Sequence, residues 1–285
     1  MTVTRPPLSL LGLAPFSVYV LLFLALPTVL AVLSGLWDEN GALTFDNVAA
    51  LGDPVILRAF WSSIWLSALT AVLGAVIGGL LCFAMLGFSS NGAVRSIVDA
   101  ASSVLAQFGG VMLAFAFVAT IGLQGVVTLL LRDAFGVDIF ANGPWIYQLP
   151  GLIPPYLYFQ VPLMIITFMP ALSALKPQWA EATMTLGGTM GTFWRRVALP
   201  VLWPSILASV LLLFANSFSS YATAAALISQ GSQIVPLQIR TALTSETLLG
   251  RENVAGALAL GMIIVMAVVM GLYSVAQRRA SRWQR

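Results

Sequence analysis

Six long apolar stretches, separated by shorter polar segments, run along the chain. Each has about the 20 residues that a helix needs to cross a bilayer core of about 30 Å. The stretches lie near residues 11–33, 60–86, 104–121, 152–175, 201–228 and 254–275. The sequence therefore predicts an all-α membrane protein with six transmembrane helices, which form one domain over residues 1–285.

One further segment, residues 123–147, is apolar at first and is then broken by Gly136, Gly143 and Pro144. A seventh span here would reverse the direction of the chain and would place the basic loop that follows the fourth span outside the cell. We therefore predict an outer loop that is interfacial or partly re-entrant.

The composition supports a membrane protein and sets its orientation. Hydrophobic residues make up 59% of the chain and charged residues 8%, whereas soluble domains have about 25% charged residues. Basic residues concentrate on one set of loops, and this set identifies the cytoplasmic side. It contains Arg5, Arg95, Lys176, Arg195, Arg196, Arg278, Arg279, Arg282 and Arg285. On the other set, Arg58, Arg132, Arg240 and Arg251 are outweighed by Asp38, Glu39, Asp46, Asp53, Asp133, Asp138, Glu246 and Glu252. We predict a multi-pass membrane protein with both termini in the cytoplasm.

Several kinds of chemistry are excluded by the same composition. The pI of about 9.4 does not indicate a nucleic-acid partner, because the arginines lie at helix ends and form no basic stripe. The chain has no histidine and a single cysteine, Cys82, inside an apolar stretch. Neither a metal site nor acid–base catalysis by imidazole is expected, so we predict no catalytic and no metal-binding residues.

The least membrane-like segment joins the fourth and fifth spans, residues 176–200. Pro177 suits the first position of a helix, and Glu181 lies close to the positive helix end. Gly187 permits a turn after this helix. A second short helix is predicted over 190–198, ending before Pro200.

The spacing in this loop carries a resemblance to a known family. Glu181 and Ala182 are followed by Thr183, then three residues later by Gly187, and nine further residues lead to Val197, Ala198, Leu199 and Pro200. This pattern resembles the loop motif E-A-A, three residues, G, nine residues, I, one residue, L-P of the permease subunits of bacterial ATP-binding-cassette (ABC) importers with the methionine-permease-like fold. Thr183 and Val197 depart from the motif by small changes in volume. The order of six helices extends the resemblance over most of the chain.

The resemblance implies the type I ABC importer permease fold, with a cytoplasmic coupling helix between helices 4 and 5. The implied coupling residues are Glu181, Ala182, Thr183, Gly187, Val197, Leu199 and Pro200. It implies two ABC ATPase subunits, a second permease subunit that is homologous or identical, and an extracytoplasmic solute-binding protein as partners. The chain has no phosphate-binding loop of the G-x-x-x-x-G-K-[ST] type, so we expect a transport subunit that is no enzyme and has no cofactor. ATP and Mg²⁺ would be bound by the ATPase partners.

Polar residues within the spans are candidates for a transport pathway. A stripe on the fifth span is formed by Ser209, Asn216, Ser220 and Thr223. These side chains either line a cavity or form hydrogen bonds between helices. Gln107 and Gln160 are further candidates for the pathway, and the alternative is that they bond backbone groups freed by nearby glycine and proline residues.

Two other functions compete with the permease interpretation. A secondary transporter would need an ionisable site within the spans, where only the peripheral Asp99 is available. An intramembrane enzyme would need a catalytic constellation, and no histidine is present to serve one. The solute is not identified. The chain looks most similar to the spermidine/putrescine-like branch, which favours polyamines and leaves ferric iron, aminoethylphosphonate, sulfate, thiamine or a sugar as alternatives.

Overall fold

A computed structural model describes residues 13–37, 42–89, 92–228, 234–244 and 252–281, with the side chains of 252 and 276–281 left out. Some residues used above to predict the orientation therefore lie outside the described structure. They are Arg5, Asp38, Glu39, Glu246, Arg251, Arg282 and Arg285.

The described chain is built from helices and contains no strand. The first half comprises α1 (Ala14–Val20), α2 (Leu26–Ser34), α3 (Asp46–Ala49), α4 (Pro54–Met85), α5 (Ala93–Leu105), α6 (Gly110–Ile121) and α7 (Val126–Phe135). The second half comprises α8 (Ile153–Ser173), α9 (Pro177–Thr185), α10 (Met190–Phe193), α11 (Leu199–Phe218), α12 (Ala222–Leu227), α13 (Val235–Thr244) and α14 (Glu252–Ser281).

Six helical segments of the described chain are long and apolar enough to cross a membrane. They are Ala14–Ser34, Pro54–Met85, Gly110–Phe135, Leu149–Ser173, Met190–Phe218 and Asn253–Val275. The predicted fold class, an all-α membrane protein with six spans, is confirmed. That these spans form a single permease domain stays a prediction.

The third and fifth spans differ most from their predicted bounds. The third was expected over 104–121 but covers Gly110–Phe135, because the backbone breaks at 106–109. About half of the predicted outer loop 123–147 therefore belongs to this span, mainly as α7, and residues 136–148 connect it to the next span. The fifth span was expected over 201–228 but covers Met190–Phe218. It absorbs the short helix predicted over 190–198 and ends before α12.

A wide helical turn precedes two of the prolines inside spans. Residues Leu21–Ala25 and Trp194–Ala198 form π-helical turns, and each ends two residues before a proline, Pro27 and Pro200. Proline lacks the N–H of a helical hydrogen bond and its ring crowds the carbonyl four residues earlier. A locally widened turn absorbs that conflict. The helix consequently passes through Pro200, which was expected to end it.

The chain divides into two compact units, which are described separately. The first unit consists of Met1–Leu57 and Gln238–Ile264. Within it, Gly35 at the end of α2 lies against the backbone of Gly256 and Ala257 in α14. A side chain on either glycine would collide with the facing helix, so close packing of small residues holds this pair of helices together.

The second unit consists of Arg58–Leu237 and Val265–Arg285. Its buried core is a cluster to which α4, α6, α8, α12 and the start of α13 contribute; examples are Leu66, Leu113, Tyr156, Leu227 and Leu237. Helices α4 and α8 approach closely, since a Cβ atom on Gly78 would lie 2.6 Å from Met164 Cβ. This close packing fixes the helices of the second unit relative to one another.

Candidate functional site

The loop between the fourth and fifth spans carries a short helix at the surface. Helix α9 begins at Pro177 and has no buried residue. Glu181 and Ala182 are exposed and Thr183 is half-buried. The Glu181 carboxylate forms no ion pair or hydrogen bond with any described residue. It is therefore free to bind a group from another protein.

A glycine turn follows α9, as the sequence predicts. Gly187 has a φ of +78°, a conformation that glycine adopts at little cost. The Gly188 amide donates to the Thr183 carbonyl at 2.9 Å, which closes the helix end in the manner of a C-terminal glycine cap. Helix α10 then begins with a capping box between Thr189 and Thr192. Both ends of the turn are therefore fixed by hydrogen bonds.

Apolar side chains stand exposed around this turn. Leu186 is 87% exposed, and Trp179, Met184 and Met190 are also exposed. Large apolar groups clustered on an exposed loop mark a surface that binds another molecule. We call these four residues the loop patch. The loop patch was not predicted from the sequence, although all four apolar residues lie between positions 179 and 190 of this loop.

The remaining residues of the motif lie in the following helix. Val197 is half-buried in the π-helical turn, and Leu199 and Pro200 are exposed at the start of α11. The last part of the loop, from Met190 onward, therefore forms one continuous helix with the fifth span. A displacement of α10 would reach the fifth span without passing through a flexible joint.

A second feature is a polar pocket of about 340 Å³ at the break between α11 and α12. The break lies at residues 219–221, and the pocket also borders the break before α6 at Gly109 and Gly110. The lining comprises Ala106, Gln107, Gly109, Gly110, Phe159, Asn216, Ser219, Ser220, Tyr221, Ala222 and Thr223. None of these residues carries a charge. The two helix breaks thus expose amide and hydroxyl groups to a cavity.

Two side chains hold the pocket in shape. Thr223 Oγ1 accepts a hydrogen bond from the Gly110 N–H at 3.0 Å and donates one to the Gly110 carbonyl at 3.2 Å. The Tyr156 hydroxyl donates to the Ser220 carbonyl at 3.1 Å. The first contact ties α6 to α12, and the second ties α8 to the break after α11.

Four of the six predicted pathway residues meet in this pocket. They are Gln107, Asn216, Ser220 and Thr223. Ser209 and Gln160 are buried and do not line it. Ser219 and Tyr221 also line the pocket. They were not among the six predicted residues, although both are polar and lie close to Asn216 in the sequence. Nothing in the sequence around Phe159 indicates that it lines a pocket.

Gln160 belongs to a separate buried polar cluster. Its Nε2 donates to Thr70 Oγ1 at 3.0 Å, and Thr70 Oγ1 lies 3.1 Å from Ser217 Oγ. Its Oε1 is buried and has no partner among the described residues. The glutamine therefore bonds a side chain on α4, not a backbone group freed by proline.

No protein-family model matches the chain. A protein of Sinorhizobium fredii named probable ABC transporter permease is 27% identical over 270 residues, which cover 94% of this chain and 45% of that protein. The trehalose transport system permease of Mycobacterium tuberculosis is 24% identical over 83% of this chain and 78% of that protein. The chain thus spans about half of the first relative and most of the second. Other relatives are named for sulfate, spermidine/putrescine and ferric transport.

The fold has counterparts among solved structures. A subunit of a bacterial ABC transporter that imports alginate superposes with a TM-score of 0.77 over 95% of both chains, at 18% identity. Six helices long and apolar enough to cross a membrane indicate a multi-pass membrane protein. The chain is a homologue of ABC transporter permease subunits and has the transmembrane fold of an ABC importer. This confirms the predicted resemblance and the expectation of a transport subunit in place of an ATPase.

Proposed function

We propose that the chain is a permease subunit of an ATP-driven importer in a bacterial inner membrane and forms half of the pathway for a small polar solute. Two ABC ATPase subunits bind it on the cytoplasmic side, a second permease subunit, homologous or identical, completes the pathway, and an extracytoplasmic protein delivers the solute. ATP and Mg²⁺ bind only to the ATPases. Both termini face the cytoplasm. The observation that carries this proposal is the exposed loop around Glu181 on a fold shared with ABC importers.

The loop has the properties of a docking element. The loop patch supplies apolar contact area around a fixed turn, and Glu181 supplies a carboxylate without an internal partner. A partner arginine would form a charge-assisted hydrogen bond with such a carboxylate. Because the helix continues from α10 into the fifth span, closure of the ATPases on ATP would move that span and change which side of the membrane the pathway faces.

The residues of the motif act in two groups in this proposal. Glu181, Ala182 and Thr183 lie on α9 and face the ATPase, and small side chains at the last two positions allow its surface to approach closely. Gly187 sets the turn. Val197, Leu199 and Pro200 lie where the loop joins the fifth span and pass the movement on.

Docking is tested by Glu181→Ala and Leu186→Asp, each measured by copurification of the ATPase subunit and by its hydrolysis rate in the assembled importer. We expect each variant to lose roughly tenfold or more in retained ATPase, because a charged contact and a central apolar contact are removed. Asp133→Ala is the matched control, since Asp133 is an exposed carboxylate at the end of α7. Unchanged copurification in both loop variants would rule out docking through this loop.

The polar pocket is proposed as this chain's part of the pathway. Its accessible lining residues Gln107, Asn216 and Ser220 offer hydrogen-bond donors and acceptors, and the buried Thr223 shapes its wall through Gly110. Ser209 and Gln160 are proposed to act indirectly, by fixing the helices that carry the lining. Because no carboxylate or cationic group lines the pocket, we propose an uncharged, hydroxyl-rich solute as the first candidate. The relative named for trehalose transport agrees with this class.

Polyamines are the second candidate. A relative named for spermidine/putrescine transport is 30% identical over 135 residues, which cover 47% of this chain. In this pocket a polyamine would contact the rings of Tyr221 and Phe159 in place of a carboxylate.

Uptake of labelled trehalose, sulfate and putrescine by cells that express the importer separates these candidates. Asn216→Asp places a carboxylate in the pocket with almost no change in size. We expect it to lower uptake of an uncharged solute severalfold and to leave ATPase copurification unchanged, and Asn142→Asp, on the exposed 136–148 connection, to have no effect. Putrescine uptake by the wild type, abolished by Tyr221→Ala, would favour the second candidate.

A further inference from the structure

A further cavity adjoins the loop patch at Met190 and is distinct from the polar pocket. It has a volume of about 400 Å³ and lies between the ends of the second and fourth spans and the helices of the loop. Its walls are mainly apolar and include Leu86, Leu172, Leu175, Phe193 and Trp194. Such a pocket has room for part of an apolar chain, and it has no role in docking or in the pathway as proposed above.

Two basic residues stand at the edge of this cavity, Arg95 on α5 and Lys176 before α9. Arg95 Nη2 donates to Ser173 Oγ at 2.6 Å, and its Nε lies 4.0 Å from Asp99 Oδ2, which is too long for a strong pair. The Arg95 side chain is 15% exposed, so the guanidinium is held in place beside the cavity. Lys176 is exposed, and its amine contacts no described polar group. The lining itself contains no acidic residue.

We propose that this cavity binds an anionic phospholipid, with its phosphate between Arg95 and Lys176 and the start of an acyl chain along the apolar wall. Neither the apolar wall alone nor the two basic residues alone would suggest this ligand. A free phosphate would leave the apolar wall without a partner, and a neutral lipid would offer no anionic group to Arg95 and Lys176. Basic pockets between spans on the cytoplasmic side are suited to anionic headgroups. The side of the membrane follows from the proposed orientation, so the proposal rests on that part of the proposed function.

The position of the cavity gives the lipid a consequence for transport. Pro177 and Ala180 of α9 line it together with Met190 and Trp194 of the following helix. A lipid bound here would contact both sides of the glycine turn and also the end of α8 at Leu172. It would stiffen the connection between the docking loop and the spans, so the transport rate would depend on the lipid composition of the membrane.

Lipid retention by the purified protein is the direct test, measured by native mass spectrometry after equal exposure to phosphatidylglycerol and phosphatidylcholine. We expect Lys176→Gln to lower the ratio of retained phosphatidylglycerol to phosphatidylcholine about fivefold, and Arg95→Gln with Lys176→Gln about 25-fold, because each cation near a headgroup contributes a factor of this size. The control is Arg195→Gln with Arg196→Gln, which removes the same charge from exposed positions outside the cavity. This control should change the ratio less than twofold.

Equal loss in the control would mean that net charge alone attracts the lipid, and an unchanged ratio in Lys176→Gln would also overturn the proposal. Lys176→Gln is informative by itself, because its side chain makes no contact that folding needs. Competition by inorganic phosphate at millimolar concentration would identify a phosphate site and not a lipid site. Retention does not require an ATPase, so these outcomes are separate from a failure of docking through Glu181.

Discussion

Thr223 Oγ1 both accepts a hydrogen bond from the Gly110 N–H and donates one to the Gly110 carbonyl, at 3.0 and 3.2 Å. One hydroxyl thus contacts both backbone groups of the first residue of α6 and satisfies an N–H that has no intrahelical partner. Gly110 has a φ of +74°, so the chain enters the helix through a turn that glycine permits. The pair fixes one wall of the polar pocket.

We predict that Thr223→Val lowers solute uptake by severalfold and destabilises the protein by about 1 kcal/mol, because the near-isosteric valine leaves the Gly110 N–H unpaired. Thr223→Ser keeps the hydroxyl and should retain most of the uptake. Thr120→Val is the control, since Thr120 is exposed on the same helix as Gly110 and bonds only the carbonyls of Ala116 and Phe117 in its own helix. Uptake assays and thermal unfolding of the purified protein measure both effects. Wild-type behaviour of Thr223→Val would show that the pair does not shape the pocket.

A second prediction concerns the glycine turn after α9. Gly187→Ala places a Cβ in open space but forces an L-residue to a φ of +78°, which costs about 1 kcal/mol. We expect a modest fall in ATPase copurification. Gly187→Asn should recover part of it, because asparagine tolerates the left-handed conformation better than alanine. If alanine and asparagine behave alike, the left-handed turn is not required for docking.

A third prediction concerns the neighbouring residue, Gly188. A Cβ on Gly188 would lie 2.8 Å from the Thr183 carbonyl oxygen and from its Cγ2. The clash involves backbone that cannot move without opening the cap, so Gly188→Ala should disrupt α9 more than Gly187→Ala does. Limited proteolysis of the loop in the purified protein should show faster cleavage near residue 188. Equal cleavage rates for the two alanine variants would contradict this ranking.

The sequence allowed the six spans and the short helix and glycine turn around Glu181 to be predicted, because each depends on local features. An apolar stretch of 20 residues has few alternatives to a membrane helix, and the Glu181 motif lies within a single loop. Pro200 was misinterpreted as a helix end. A proline is normally disruptive inside a helix, and nothing local to Pro200 shows that the turn before it widens.

The polar pocket was predictable only in part. Ser209 and Asn216 are seven residues apart, so they share a face of α11, yet Ser209 is buried and Asn216 lines the pocket. The two residues differ in their distance from the helix break along α11. Asn216 lies near the break, and Ser209 lies two turns further from it. The position of that break depends on contacts between helices that are distant in sequence. Periodicity along one helix does not contain that information.

The last prediction concerns the contact between Gly35 and Gly256 in the first unit. A Cβ on Gly256 would collide with Ser34 Oγ, the Ala31 carbonyl and the Gly35 amide. Gly256→Leu should therefore force α2 and α14 apart and lower the free energy of unfolding by about 1–3 kcal/mol.

Gly271→Leu is the matched control on the same helix, because a Cβ at that position would have no other atom within 4 Å. Its effect should be neutral or stabilising, since leucine is a better helix former than glycine. Thermal unfolding of both purified variants measures the difference. Equal unfolding temperatures for them would contradict a packed contact between Gly35 and Gly256.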